Sequence, residues 1–380
     1  MSGTPAVTLA HHWLVSFRGG EIVLAELAKL FPGAPIHTLV ATRGAERLRA
    51  FDAAEIHTSP LQLLPGATRH YRKLLPLHPA AIALARRRWR GDFALSSDAS
   101  MIKAVVPEGV PHVCYCHSPP RYLWDMRDDY ARTAEIGAVG RRVFNAAAGY
   151  CRDFDRRAAR HVTHFIANSA FVQKRIADCY GRDAAVIHPP CHVNDFNPAR
   201  PREAFYLLVS QLTPYKRADI AVRACTQLRR RLVVVGVGAE LGRLRRMAGP
   251  TVEFRDKLPR AEVVGLFERC AAFLYPQVED FGITAVEAQA AGAPVIAFRA
   301  GGALESVVEN ETGWFFDGQN PEALAAAIER FEAEAPGRDP AVVAAACRAN
   351  AERFRPEIFR ERIASFLAGK FPGRFKEGAA

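Results

Sequence analysis

The chain has 380 residues, 49% of them hydrophobic, and a formal net charge of +11. That length suits two domains better than one ordinary core, and the apolar content excludes a disordered chain. No apolar run approaches the about 18 residues of a membrane-spanning helix, and the first ten residues lack the basic-then-apolar pattern of a secretory signal, so a cytoplasmic protein is expected.

The charge is uneven. Residues 1–200 hold 26 Lys and Arg against 17 Asp and Glu, a net +9, which leaves +2 for the remainder. A basic half points to an anionic partner such as membrane lipid, a lipid diphosphate or nucleic acid, or else to a solvated basic surface. Eight cysteines are scattered, with only Cys114 and Cys116 close together. A single Cys-x-Cys makes no zinc site, so reduced, mostly buried thiols are expected.

In chain order, short β-rich runs are expected near 7–10, 36–40, 93–97, 112–116, 164–167 and 185–188, then near 206–210, 232–235, 252–254, 272–275 and 294–298. Stretches between them, such as 21–30 and 321–331, have helical spacing of apolar residues. This alternation predicts an α/β protein whose parallel sheets are covered by helices on both faces. Pro189, Pro190, Pro198 and Pro201 mark the domain boundary. The expected division is an N-terminal domain over 1–195, a linker over 196–203, a C-terminal domain over 204–355 and a helix with a tail over 356–380. The start of that last segment reads as an amphipathic helix returning to the N-terminal domain.

The most specific motif runs from Glu279 through Asp280, Phe281, Gly282, Ile283 and Thr284 to Glu287, between two apolar runs. It reads as strand, loop, helix, then a glycine turn into another strand. Gly282 falls near the helix start, where free N–H groups and the helix dipole favour phosphate. Glu279 lies before that start and Glu287 beyond it, so their carboxylates can accept hydrogen bonds from sugar hydroxyls on either side of a diphosphate. A second motif ends a strand at Ser210 and delivers Lys216 and Arg217 on the following loop. A third places His117 directly after a β-like run, in the stretch Cys116-His117-Ser118-Pro119-Pro120-Arg121-Tyr122-Leu123-Trp124-Asp125, where α/β folds put binding groups. A fourth sets Gly19 and Gly20 ahead of a helix, where a backbone can approach a ligand closely.

The Glu279-x7-Glu287 pattern resembles that of the retaining glycosyltransferases of family GT4, which include mannosyl- and glucosyltransferases of bacterial polysaccharide assembly. Gly301-Gly302, Glu305 and Thr312-Gly313-Trp314 complete the resemblance, which runs from about Trp13 to Phe316. It implies a GT-B fold, two Rossmann-like domains facing across a cleft. It also implies a nucleotide-sugar donor, with GDP-mannose favoured over UDP- or dTDP-sugars, and no metal or other cofactor. Glu287 would hold the ribose, Glu279 the donor sugar near the reacting carbon, and Lys216 the diphosphate. His117 would reach the sugar from the other domain, and the Gly19-Gly20 loop would border the donor phosphate and acceptor. Ser210, Arg217 and the Phe281–Thr284 turn complete the expected donor site. Gln211 departs from the arginine usual in the family, a loss Arg217 would offset.

The implied acceptor is a lipid-linked or polysaccharide chain. The span from Arg69 to Arg90 holds seven Lys and Arg, no acidic residue, and interleaved leucines, Tyr71, Ile82 and Trp89. It is the candidate contact with an anionic membrane surface, and no nucleic acid is expected. Two rivals are a glycogen- or sucrose-type synthase or phosphorylase on the same fold and a non-catalytic basic binding module. The latter leaves the paired glutamates unexplained. Val235-Gly236-Val237-Gly238 suggests a dinucleotide site, but the third glycine position is Leu241 and the fingerprint fails.

Overall fold

A computed structural model describes residues 5–42, 46–126 and 137–375. The chain divides into two compact units, the first comprising 1–190 with 359–380 and the second 191–358.

The first unit holds seven strands, β1 (Val7–His11), β2 (Ile36–Thr38), β3 (Ile56–Thr58), β4 (Phe93–Asp98), β5 (His112–Cys116), β6 (His164–Ala167) and β7 (Ala184–Val186). They form one sheet in the order β3-β2-β1-β4-β5-β6-β7, and every pair is parallel. β1, β4 and β5 are buried along their whole length, as central strands covered on both faces must be. The second unit holds β8 (Tyr206–Val209), β9 (Leu232–Val235), β10 (Val252–Arg255), β11 (Ala272–Tyr275), β12 (Val295–Phe298) and β13 (Gly313–Phe316). Its sheet, also parallel, runs β10-β9-β8-β11-β12-β13. The α/β class with two Rossmann-like sheets is therefore as expected. β3 and β13 were not foreseen: β3 is a three-residue, half-buried edge with a polar centre.

Residues 191–203, which include the stretch 196–203 expected to be a linker, belong to the second unit. Val193 and Phe196 lie in its core. Arg348 Nη1 donates to the carbonyls of Val193 and Phe196 at 2.8 and 3.0 Å. Arg202 donates to the carbonyls of Phe267 and Glu268, both at 3.0 Å. The prolines here shape an irregular but tightly held strap. The C-terminal helix Pro356–Lys370 buries Phe359, Ile363 and Leu367, spaced one turn apart, in the core of the first unit with Leu9, Phe93 and Tyr115. Residues 376–380 of the expected tail lie outside the described residues.

In the second unit, glycines let the loops at the carboxyl ends of the strands pack backbone on backbone. At Gly236, φ is +152° and a Cβ would fall 1.9 Å from the Ser210 carbonyl oxygen. The Gly236-x-Gly238 pair thus serves to seat the β9 loop against the β8 loop. Ser210 donates its N–H to the Val235 carbonyl at 3.0 Å and Leu212 donates to Val237 at 3.0 Å. Gly302 does the same on the other side, where a Cβ would meet Phe281 Cα at 2.3 Å.

Two measurements check this packing. Phe359→Ala should lower unfolding free energy by about 3–5 kcal/mol in denaturant titration. Gly236→Ala should cost about 3 kcal/mol through left-handed strain and the collision with Ser210.

Candidate donor and sugar site

In the second sheet the strand order reverses between β8 and β11, the position where open α/β sheets bind ligands at their carboxyl edge. The loop after β8 turns through the 3-10 segment Pro214–Lys216. The loop after β11 carries Glu279. Lys216 Nζ and Glu279 Oε1 form an ion pair. Both side chains keep a small exposed fraction, 16% and 17%, so the pair is reachable from solvent. Arg217 sits beside it with φ +50°, a left-handed residue at the head of the helix Ala218–Gln227. Its guanidinium lies 3.2 Å from Asp219 Oδ1 and 3.3 Å from Gln319 Oε1. Gln319 in turn donates to the Pro276 carbonyl at 2.9 Å. Arg217 thereby braces the β8 loop to the β11 loop. Ser210 donates its hydroxyl to the Gln211 carbonyl at 3.0 Å.

Gly282 precedes the helix Ile283–Ala290 with φ +89°, and a Cβ there would fall 2.0 Å from Tyr275 Oη. Only glycine fits both the left-handed turn and that approach. No side chain caps this helix, which leaves first-turn amides such as those of Ile283 and Thr284 suited to an anion. Phe281, also among the expected donor contacts, has its ring in the core of this unit. It is buried, 5.3 Å from the Phe354 ring, and anchors the loop because a large apolar ring gains more from the core than from a polar ligand.

Glu287, one helix turn farther on, pairs with Arg260 at 2.7 Å. Burial pushes its carboxyl above the usual range, and Arg260 opposes that shift; Asp195 adds to it and His192 opposes it. The two glutamates thus go to different cations on different elements, Glu279 to Lys216 and Glu287 to Arg260.

In the first unit the strand order reverses between β1 and β4, and histidines gather there. Ser97 Oγ, at the end of β4, lies 3.1 Å from His11 Nδ1 and 2.8 Å from His117 Nε2. The His11 and His12 ring centres are 4.0 Å apart. Burial, reinforced by His12, pulls the His117 ring down to about 3, with Asp98 opposing. Burial likewise lowers His11 and His12. The rings are therefore neutral near pH 7. Gly20 lies over them: a Cβ would sit 3.4 Å from His11 Cε1 and 3.8 Å from His117 Nε2. The helix Gly19–Leu30 is pinned by Glu21, which accepts from the Arg18 N–H and the Ser16 hydroxyl, both at 3.0 Å.

The stretch after His117 is held at each polar residue. Trp124 Nε1 donates to Asp155 at 3.1 Å, Tyr122 and Ser100 share a 2.7 Å hydrogen bond, and Arg175 clamps Asp125 through contacts of 2.7 and 2.9 Å. Asp155 belongs to a buried network in which it and Asp98 flank Lys103.

Sequence reasoning singled out Lys216, Glu279, Glu287, Gly282, His117 and Gly20, and the structure sets Lys216 against Glu279 and Gly20 over His117. It missed Arg260, His11, His12 and Ser97. The signal for the last three was their position at the ends of β1 and β4, beside the strand-order reversal. Arg260 gave no local signal, because its partner is 27 positions away in the sequence. Among the described residues, no group of three or more His, Cys, Asp or Glu is placed to hold a metal ion.

Comparison with known proteins agrees with this architecture. Residues 17–194 match the family model described as Glycosyltransferase Family 4, and residues 194–349 match that described as Glycosyl transferases group 1. A Mycolicibacterium smegmatis protein named GDP-mannose-dependent alpha-(1-6)-phosphatidylinositol monomannoside mannosyltransferase is 32% identical over 54% of this chain and 62% of its own length. A Streptomyces scabiei protein named D-inositol 3-phosphate glycosyltransferase is 30% identical over 53% of this chain and 52% of its own length. The chain thus spans about half to three-fifths of these two relatives. Among solved structures, Anabaena HepE in complex with UDP and glucose aligns with a TM-score of 0.70 at 20% identity, covering 96% of this chain and 99% of that one. Sucrose-phosphate synthase from Thermosynechococcus elongatus aligns with a TM-score of 0.71 at 17% identity, over 96% and 99%. At those identities the likeness speaks for the fold. Two adjoining family models that run from residue 17 to residue 349, on two parallel α/β sheets, make this chain a member of glycosyltransferase family GT4 with the GT-B fold.

Proposed function

We propose that the chain is a hexosyltransferase that retains anomeric configuration. It would move a sugar, with mannose favoured, from a nucleotide diphosphate donor to a lipid-linked or polysaccharide acceptor. The observation that carries this reading is the meeting of Lys216 and Glu279 beside the Gly282 helix start, at the strand-order reversal of the second sheet. GDP-mannose is favoured because a relative's name includes it. Several relatives named D-inositol 3-phosphate glycosyltransferase support a second reading, in which the acceptor is a soluble sugar phosphate.

In this reading the donor diphosphate lies at the Gly282 helix start, and its charge draws the Lys216 ammonium away from Glu279. The released carboxylate then faces the sugar, where positive charge grows as the glycosidic bond breaks. Lys216 and the helix amides stabilise the leaving diphosphate, with Arg217 close by, so the chemistry needs no metal ion. Glu287 accepts hydrogen bonds from the ribose, and Arg260 favours its charged form against the burial that opposes it. The first unit takes the acceptor, with His117 and the Gly19-Gly20 turn as polar contacts to sugar oxygens.

The acceptor reading is supported by the surface around Arg69 to Arg90. Tyr71, Ile82 and Trp89 are buried there and unavailable to lipid, contrary to the sequence expectation, because they fill the core beneath. Exposed apolar surface comes instead from Leu63, Leu64, Leu77 and Leu84. Arg69, Arg72, Lys73, Arg87, Arg88 and Arg90 are exposed in the same stretch. Arg86 is committed to the Ala104 carbonyl. Among the described residues, no helix is long and apolar enough to cross a membrane. Contact with a bilayer would therefore be from its surface, at about 1 kcal/mol per basic residue near anionic lipid.

Two experiments test this reading. Lys216→Ala should weaken transition-state binding by about 1.5–3 kcal/mol, the scale of a charged hydrogen bond, read as lower kcat/KM with GDP-mannose; unchanged turnover and donor affinity would overturn the phosphate assignment. In flotation assays the protein should rise with anionic vesicles, stay down with neutral ones, and lose binding in high salt; no binding to anionic vesicles would remove the membrane contact.

A further inference from the structure

His117 carries its role only if the right ring nitrogen holds the proton, and the residues behind it decide which one does. Ser97 Oγ lies between two imidazoles, 3.1 Å from His11 Nδ1 and 2.8 Å from His117 Nε2. A hydroxyl has one proton to donate. It can donate to one ring at most, and these two ring nitrogens are the only partners of Oγ among the described residues, so it donates to one ring and accepts an N–H from the other.

The direction follows from His11. This side chain is fully buried, and its Nε2 has no hydrogen-bond partner among the described residues. Orphaned buried N–H groups are rare, whereas an unpaired acceptor is better tolerated. The His11 proton therefore sits on Nδ1 and is donated to Ser97 Oγ. Ser97 then donates its own proton to His117 Nε2. His12 is consistent with this order: its Nδ1 lies 3.4 Å from the Ser97 carbonyl, an oxygen that can only accept. The reverse order would move the His11 proton to Nε2 and leave a buried N–H without an acceptor.

We propose that His11 and Ser97 form a relay that fixes His117 as a neutral imidazole protonated on Nδ1. His117 then meets an oxygen of the bound sugar as a hydrogen-bond donor and not as a base. The burial that holds the His117 ring down to about 3 keeps it in this form throughout the physiological range. Asp98, the charged group that opposes this shift, is itself tied to Lys103. Ser97 and His11 are positioning residues. The assignment of His117 to the sugar rests on the proposed function, whereas the tautomer does not.

The test is a two-bond proton–nitrogen spectrum of the full chain carrying nitrogen-15 histidine at pH 7, with His117 assigned by its loss in His117→Gln. The expected pattern is a protonated-type Nδ1 and an unprotonated-type Nε2. A protonated Nε2 overturns the relay. Ser97→Ala should release His117 toward the Nε2-protonated form that free imidazole favours, and raise the acceptor KM about tenfold, the scale of one neutral hydrogen bond. An unchanged His117 spectrum in Ser97→Ala overturns the relay. His11→Phe, which keeps an aromatic ring but removes Nδ1, should redistribute the tautomers in the same way. If His117→Gln transfers sugar like the wild type, the functional assignment of His117 fails while the relay stands. A reversed tautomer beside an inactive His117→Gln overturns the relay and leaves His117 in its place at the sugar.

Discussion

The candidate donor site depends on backbone packed against backbone at the carboxyl edge of the second sheet. The loops after β8, β9, β11 and β12 approach so closely that side chains are excluded where Gly236, Gly238, Gly301 and Gly302 stand. A Cβ at Gly238 would lie 2.1 Å from the Leu212 carbonyl oxygen, and one at Gly301 would lie 2.5 Å from that of Glu279. The Gly302 N–H donates to the Glu279 carbonyl at 2.9 Å, so the loop after β12 also holds the loop that carries the acid. Lys216 and Glu279 can meet because their two loops have so little freedom. Polar groups held in advance in this way need not reorganise when charge develops on a leaving group.

The first unit solves a different problem, which is to bring several imidazoles together without charging them. Burial, more than any neighbour, removes their protons, and a single serine hydroxyl then sets hydrogen-bond direction between two of them. The ionic network of Asp98, Lys103 and Asp155 lies next to these rings. It sets one ammonium between two carboxylates, and its hydrogen bonds reach the loop that follows His117 through Trp124. Each charge there has an opposite charge or several hydrogen bonds, the condition under which buried ions persist.

Much of the fold was legible because the central strands are short apolar runs bounded by polar loops. β5, β6, β9 and β11 fall where the hydrophobic pattern puts them. β13 escaped notice because its glycine and tryptophan read as part of a motif and not as a strand. The Glu279–Glu287 segment was legible because its chemistry is local: strand end, left-handed glycine and helix follow each other in the chain. Contacts between distant segments left no such trace. Arg260 meets Glu287 only after the sheet forms, and His11 meets His117 only because β1, β4 and β5 are adjacent. The Gly236-Val237-Gly238 sequence shows the converse, a ligand-like motif whose glycines serve loop packing. The core packing of the Phe281 ring left no trace for a similar reason: it meets Phe354, far along the chain.

The central claim is that a nucleotide diphosphate sits at the Gly282 helix start beside Lys216. Amide hydrogen exchange with and without GDP or UDP tests it most directly. Added protection is expected at 279–285 and 213–217, with the sheet cores unchanged. Protection confined to other segments, with those two loops exchanging as before in saturating nucleotide, would contradict it.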